Sequence, residues 1–169
     1  KDTLANLKIK CLVLKHKESE CKEVKDLKYS DELQYIVAHK TRNDFISRLC
    51  DKLSGNTLCL YQLVEKHGLV LYNLMKDFDR KVFFIHGGTD TETREKIRAI
   101  TEKETNAIIV ASYGTFSTGI NIRNLHNIVF ASPSKSRIRV LQSIGRGLRK
   151  SDKHDIHTTL LDIADDFTY

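Results

Sequence analysis

The sequence has little of what marks several common classes of protein. Its 169 residues include one Pro, no Trp and 8 Gly, which excludes collagen-like, mucin-like and flexible-linker chains. No apolar run reaches the roughly 18 residues of a membrane span, and we expect no signal peptide. We therefore expect a cytoplasmic protein with no membrane partner. Because the sequence does not begin with Met, we also expect it to be a fragment of a longer chain.

Metal-binding patterns are also missing. The 4 Cys form no C-x-x-C pair, so neither a zinc ribbon nor a redox motif is predicted. His154 and His157 have no third ligand nearby. The carboxylates near the C-terminus fit a solvated acidic tail better than a metal site: Asp162, Asp165 and Asp166. We expect this chain to hold no metal.

What is present fits one globular domain over residues 1–169. Hydrophobic residues make up 40% and charged residues 30%, so the chain can bury a core. The formal net charge is +6, which is compatible with a polyanionic partner without requiring one. Residues 15–28 are highly charged, and we expect a solvated loop or insertion there.

Short apolar runs alternate with helical patterns along the chain. Runs without strict alternation are typical of strands buried on both faces, and strands alternating with helices favour a mainly parallel sheet covered on both sides. We therefore predict an α/β three-layer domain. The runs are 9–14, 57–61, 82–85, 107–111, 128–131 and 158–161. Helical patterns occupy 29–53, 64–78, 91–100 and 138–148.

One helical segment carries the chemistry that is easiest to interpret. Gln142, Arg146 and Arg149 are spaced four and three residues apart, which places them on one face of a helix. Guanidinium groups suit phosphate because they bond it bidentately and stay charged. From spacing alone, a solvated basic helix face explains the pattern equally well.

Polar residues follow the predicted strands where those strands end. Ligands of open parallel sheets bind beyond the carboxyl ends of the strands, and hydroxyls and backbone N–H groups there can hold phosphate without reading base sequence. We therefore expect one polar edge of the sheet. Its candidate residues are Tyr61, Gln62, His86, Gly87, Ser112, Ser117, Thr118, Gly119 and Asn121.

Several kinds of active site have no counterpart in the sequence. There is no G-x-x-x-x-G-K-[ST] loop to cradle phosphates and no Asp-Glu pair after a strand to hold Mg²⁺,. No G-x-S-x-G elbow indicates a nucleophilic serine. A dinucleotide-binding fold is disfavoured because no G-x-G-x-x-G follows the first strand.

The polar segments described above, in their order along the chain, resemble the motifs of the second RecA-like domain of superfamily 2 helicases. Gln142-x-x-Gly145-Arg146-x-x-Arg149 is similar to motif VI of that family, and it is the most specific match. The segment 112–122 resembles motif V, with Asn121 in place of a common Asp. Residues 57–68 resemble motif IV and the helix after it, and His86-Gly87 with Arg94 resembles the segment between motifs IV and V.

The resemblance implies half of an ATPase site. The family's first RecA-like domain, N-terminal in the same chain, holds ATP and Mg²⁺, and the second domain supplies arginines across the cleft. Arg149 would then be the arginine finger, Arg146 would act beside it, and Gln142 would orient them or the attacking water. Gly119 and Asn121 would line the nucleotide side. Nearby hydroxyls would grip the nucleic-acid strand, with Ser112, Ser117 and Thr118 as open alternatives.

The resemblance implies an ATP-dependent DNA helicase that acts on branched DNA, and on RNA–DNA hybrids, in recombination, repair and replication. This domain alone is expected to be inactive. Two alternatives stay open. Motifs IV to VI do not separate DNA helicases from RNA helicases, and a stand-alone nucleic-acid-binding module without ATPase activity would also lack a phosphate loop.

Overall fold

The structure, a computed structural model, describes residues 7–118, 122–135, 137–147 and 158–167, and of residues 117, 118 and 145–147 it describes the backbone alone. All strand pairs in the central sheet are parallel. The order is β1-β6-β5-β2-β4-β3. The strands are β1 Leu7–Lys15, β2 Thr57–Tyr61, β3 Val82–Ile85, β4 Ile108–Ser112, β5 Asn127–Phe130 and β6 Thr158–Asp166.

Helices cover both faces of this sheet, which confirms the predicted three-layer α/β architecture. The helices are α1 Glu18–Val24, α2 Tyr29–Ala38, α3 Lys40–Lys52, α4 Leu69–Met75, α5 Thr91–Lys103, α6 Tyr113–Thr118 and α7 Arg137–Gly147. A π-helical turn, Val64–Gly68, leads into α4.

Each face of the sheet has its own apolar core. On one face, Ile97 of α5, Phe116 of α6 and Val140 of α7 pack against strand residues. On the other, Ile46 of α3 and Leu71 of α4 do the same. The central strands β2, β4 and β5 are buried along their whole length, as their unbroken apolar runs predict.

The expectation of a loop at residues 15–28 is wrong for part of the segment. Residues 18–24 form helix α1, in which Cys21 and Val24 are buried against Ile36 and Phe167. These two apolar residues are three positions apart, so they share one face of a helix while the charged residues lie on the other. The density of charge concealed this short amphipathic pattern.

The acidic residues near the C-terminus also differ from the expectation. Asp162, Asp165 and Asp166 belong to β6 and do not form a solvated tail. The Asp165 side chain is almost fully buried, and Arg42 and His16 both bond to its carboxylate. The pairing partner is more than a hundred residues away in the sequence, so the sequence pattern could not reveal it.

Strand β1 departs from the prediction of strands buried on both faces. It pairs with β6 alone among the described residues, and Ile9 and Val13 are more than half exposed. Because β1 is an edge strand, its apolar sequence pattern does not mean that both of its faces are covered.

No helix in the described part of the chain is long and apolar enough to cross a membrane.

Candidate nucleic-acid and nucleotide site

The carboxyl ends of the parallel strands meet at one edge of the sheet, hereafter the carboxyl edge. Gln62 follows β2, His86 follows β3, and Ser112 is the last residue of β4. Since β2, β4 and β3 are neighbours in the sheet, these three predicted site residues come from adjacent strand ends.

The Tyr61 side chain does not lie exposed at the carboxyl edge, so the prediction that it contacts nucleic acid is corrected. Its side chain is fully buried, and its hydroxyl donates to the Ile85 carbonyl at 2.9 Å. The ring stacks on Phe84, with 5.8 Å between centroids, and burial raises the pKa of Tyr61 above its usual value. An apolar strand end points the aromatic ring into the core and leaves the next residue, Gln62, exposed.

The backbone at Gln62 is fixed while its side chain is exposed. The Gln62 N–H donates to the Ser132 hydroxyl at 2.9 Å, and the Tyr113 hydroxyl donates to the Ser132 carbonyl at 2.7 Å. Ser132, two residues after the end of β5, therefore ties the ends of β2 and β4 together. No motif in the sequence marked Ser132 or Tyr113 for this role.

The His86-Gly87 turn is held by Arg94 of α5. The Arg94 guanidinium donates to the carbonyls of Thr89 at 2.8 Å, Gly87 at 2.8 Å and His86 at 3.2 Å. Nδ1 of His86 accepts from the Gly88 N–H at 3.0 Å. The neutral ring therefore carries its proton on Nε2, and this N–H is a donor suited to a phosphate oxygen.

The polar turn predicted after β4 is the short helix α6, and Ser112 is engaged at its start. The Ser112 hydroxyl contacts the Thr115 hydroxyl at 2.5 Å and accepts from the Thr115 N–H at 3.3 Å. Only 9% of the residue is exposed. A serine that caps a helix in this way satisfies an N–H that has no helical partner. Its hydroxyl is therefore less available to a ligand than an exposed one.

Helix α7 contains the start of the motif VI pattern, and Gln142 is exposed on it. Arg137 anchors the helix start through Asp162 of β6 at 2.6 Å, and the Ser143 hydroxyl donates to the Phe116 carbonyl of α6 at 3.4 Å. Val140 and Ile144 face the core. Ile138, near the start of the helix, is 72% exposed.

The other predicted site residues lie outside what the structure describes. Gly119, Asn121 and Arg149 are not described at all. The backbones of Ser117 and Thr118 belong to α6 and that of Arg146 belongs to α7, but their side chains are not described.

A second polar cluster lies where β1 and β6 end, and sequence patterns gave no sign of it. Arg42, which is 2% exposed, donates through Nε to Asp165 at 2.8 Å and through Nη1 to the Ala131 carbonyl at 2.6 Å. His16 Nε2 also lies 2.9 Å from Asp165. A cavity of about 300 Å³ opens beside this cluster.

Three residues around this cavity have the types and spacing of a metal site. Potential ligand atoms of His16, Glu20 and His39 lie within 4.8 Å of one another. However, Nδ1 of His39 accepts from the Arg42 N–H at 3.1 Å, so its Nε2 carries the proton and donates to Glu20 at 2.9 Å,. This bond lowers the pKa of Glu20. A metal on Nε2 would require the opposite tautomer, so the geometry fits a hydrogen-bonded chain better than a metal centre.

Comparisons with known proteins agree with the motifs and the fold. Residues 41–151 match the helicase conserved C-terminal domain. The chain belongs to this family, as the C-terminal domain of a superfamily 2 helicase.

One relative is the ATP-dependent DNA helicase UvsW of Enterobacteria phage T4, which is 38% identical over 165 residues, or 96% of this chain and 32% of the relative. The crystal structure of T4 UvsW matches with a TM-score of 0.82 at 37% identity, over 98% of this chain and 34% of that chain. This chain thus spans about a third of the length of UvsW.

The fold extends to more distant proteins. The E. coli DEAD-box protein SrmB, solved bound to the regulator of ribonuclease activity A, matches with a TM-score of 0.59 at 12% identity, over 98% of this chain and 79% of that chain. At this identity the match supports the RecA-like fold alone.

Proposed function

We propose that this chain is the C-terminal motor domain of an ATP-dependent DNA helicase that unwinds or branch-migrates branched DNA and RNA–DNA hybrids in recombination, repair and replication. The observation that carries the proposal is the similarity to T4 UvsW over 96% of the chain. The placement of Gln62 and His86 at the same edge of the sheet, at the ends of two strands that flank β4, supports it.

The domain acts as half of an ATPase. ATP and Mg²⁺ are held by the N-terminal RecA-like domain of the same protein, and α7 and the residues after it present Gln142, Arg146 and Arg149 across the cleft. The ion pair of Arg137 with Asp162 and the contact of Ser143 with Phe116 support the position of α7. Closure around ATP and opening after hydrolysis then move the two domains along a strand.

The carboxyl edge binds the nucleic-acid backbone. The exposed Gln62 side chain and the His86 Nε2–H offer hydrogen-bond donors, and Gly87, next to His86, is exposed. The hydroxyls of Ser117 and Thr118 are the remaining candidates from the motif V segment. Contacts of this kind to phosphate and sugar carry little sequence information, so binding is expected to be sequence-tolerant.

The first test is ATP hydrolysis by the full-length protein and by the 169-residue chain. The full-length protein should hydrolyse ATP faster when DNA is added. The chain alone should show only background turnover because it lacks a phosphate loop and Mg²⁺ carboxylates,. Hydrolysis by the chain alone, stimulated by DNA, would refute the half-site proposal.

The second test separates the carboxyl edge from general surface charge and also distinguishes nucleic-acid classes. A Gln62→Ala and His86→Ala double variant should lower affinity for single-stranded DNA, while an exposed Lys76→Gln control at the opposite end of the sheet should not.

Unwinding of a forked DNA, compared with an RNA duplex of the same sequence, tests the RNA-helicase alternative. Faster unwinding of the RNA duplex would favour that alternative.

A further inference from the structure

Strand β1 and the two residues after it concentrate positive charge at one edge of the sheet. Residues 7–17 contain Lys8, Lys10, Lys15 and Lys17 and no Asp or Glu. All four lysines are exposed. From Lys8 to Lys15 the strand extends about 23 Å at 3.3 Å per residue, a length comparable to about seven base pairs of DNA at 3.4 Å each.

These lysines have no ion-pair partner among the described residues. Other exposed lysines do: Lys22 pairs with Glu18, Lys81 with Glu104 and Lys96 with Glu92. Lys15 lies opposite Asp166 in the strand register, yet the two side chains do not come within ion-pair distance. The charge on β1 is therefore left to face solvent or a ligand.

Helix α3 extends this positive surface at the end of β1. Exposed Arg48 lines the cavity of about 300 Å³ together with Lys15 and Lys17. The carboxylate of Glu20 also lines this cavity, but it accepts from His39 and from the Lys17 backbone N–H. The set of Lys8, Lys10, Lys15, Lys17 and Arg48 is called the β1 basic surface below.

The β1 basic surface lies to one side of Gln62 and His86, although its Lys15 and Lys17 are at the carboxyl end of β1. In the sheet order, β1 lies three positions from β2 and five from β3. At about 4.8 Å per strand, these separations are about 14 Å and 24 Å. A nucleic-acid strand held at Gln62 and His86 therefore does not cover β1, which lies at the edge of the sheet.

We propose that the β1 basic surface binds the phosphate backbone of a second nucleic-acid arm while the carboxyl edge holds the strand being moved. The proposal rests on the proposed function, because it takes nucleic acid as the partner. Lys8 and Lys10 lie on one face of β1 and Lys15 on the other, and both faces border the exposed edge of this strand. Charge complementarity selects the partner, since cations distributed along an exposed edge match a linear polyanion. A branched substrate supplies two such arms at one protein.

Lysines on an edge strand have a second possible role, because they block pairing between the edges of two molecules. The two roles predict different effects of removing charge. Loss of a phosphate contact changes affinity and its dependence on salt, whereas loss of edge protection changes the association of the protein with itself.

The test compares full-length wild type with a Lys10→Gln and Lys17→Gln double variant, using a four-way DNA junction and a single strand as probes. At 0.1 M salt we expect junction affinity to fall about 10- to 60-fold, and the slope of log K against log salt to flatten by about 1.8, since each contact contributes about 0.9. Affinity for the single strand should change less than about twofold.

The matched control is Lys76→Gln with Lys103→Gln, which removes the same charge from the exposed C-terminal ends of α4 and α5. It should bind the junction like wild type. A Lys10→Arg and Lys17→Arg variant keeps the charge and should also retain affinity. Thermal melting of each variant checks that it is folded.

The outcomes separate this inference from the proposed function. Wild type that binds neither DNA would overturn both. Normal wild-type binding with an unchanged junction affinity and salt slope in the Lys→Gln variant would overturn the β1 proposal alone. The same unchanged binding together with a larger species on size-exclusion chromatography would assign the lysines to edge protection.

Discussion

At the scale of single residues, His67 shows how burial sets protonation. It is fully buried, and Nε2 lies 3.0 Å from Asn43 Oδ1. Because the Asn43 amide donates to the Val37 carbonyl at 2.8 Å, its oxygen accepts, and His67 donates as a neutral ring. Burial, with a contribution from the Arg42 charge, lowers the pKa of His67 to about 3.

This pKa predicts a loss of stability in mild acid. The unfolded chain takes up a proton on His67 below about pH 6.5, whereas the folded protein does so only near pH 3. The free energy of unfolding therefore falls as the pH is lowered through this window. At pH 5 the contribution is about 2 kcal/mol.

Urea unfolding of wild type and His67→Gln at pH 7 and pH 5 measures this effect. The variant should lose about 2 kcal/mol less than wild type between the two pH values, since all other titrating groups are shared. An equal loss in both proteins would contradict a buried neutral His67.

The buried pair of Arg42 and Asp165 gives a second prediction at this scale. Arg42→Met leaves the Asp165 carboxylate buried with the His16 ring as its remaining side-chain partner, and removing one partner of a buried pair costs about 3–5 kcal/mol. Arg42→Met with Asp165→Asn removes that unpaired charge, so the double variant should be more stable than the single variant in urea unfolding. A double variant less stable than Arg42→Met would show that the pair matters through packing and not through charge.

At the scale of elements, the π-helical turn Val64–Gly68 packs against β2 through a close approach at Gly68. A Cβ on Gly68 would lie 2.4 Å from ring atoms of Tyr61. That ring cannot move aside easily, since it is fully buried and its hydroxyl bonds to the end of β3.

Gly68→Ala should therefore destabilise the protein by about 1–3 kcal/mol, the usual range for overpacking a core. Gly114→Ala is the matched control, because no atom lies within 4 Å of its added Cβ and alanine is the better helix former. Thermal melting should show a clear drop for Gly68→Ala and none for Gly114→Ala. Equal melting temperatures would show that Tyr61 yields to the added methyl group.

Element positions were predictable where the signal is local. Buried parallel strands produce unbroken apolar runs, and all six predicted runs coincide with strands. The exposure of β1 was not predictable, because the position of a strand within the sheet depends on topology and not on its own residues. Helix α1 was missed because its apolar face has just two residues, Cys21 and Val24.

The site was predictable in part because several of its residues follow strands, and the strands themselves were predictable. Gln62, His86 and Ser112 follow strands, so strand prediction placed them at one edge. The orientation of Tyr61 and the engagement of Ser112 with Thr115 depend on packing around each residue. Long-range contacts such as Arg42 with Asp165, which are 123 residues apart, leave no periodic trace in the sequence.

At the scale of the whole molecule, this chain spans about a third of the length of its relative T4 UvsW. The proposed function depends on a cleft between this domain and a first RecA-like domain. Arg149 is central to it, because an arginine that reaches the γ-phosphate when the cleft closes stabilises charge that develops during transfer and not ground-state ATP.

The most direct test of this account is the ATPase kinetics of full-length Arg149→Ala, measured with the affinity for ATP. We expect kcat to fall by about 10³–10⁵ while ATP binding changes little. Arg149→Lys should recover little, since an ammonium cannot reproduce the planar fork of donors. Arg139→Ala, which removes an exposed arginine from α7, should keep near-normal turnover. Near-normal turnover of Arg149→Ala would contradict the account, as would a melting temperature low enough to make Arg149 a structural residue.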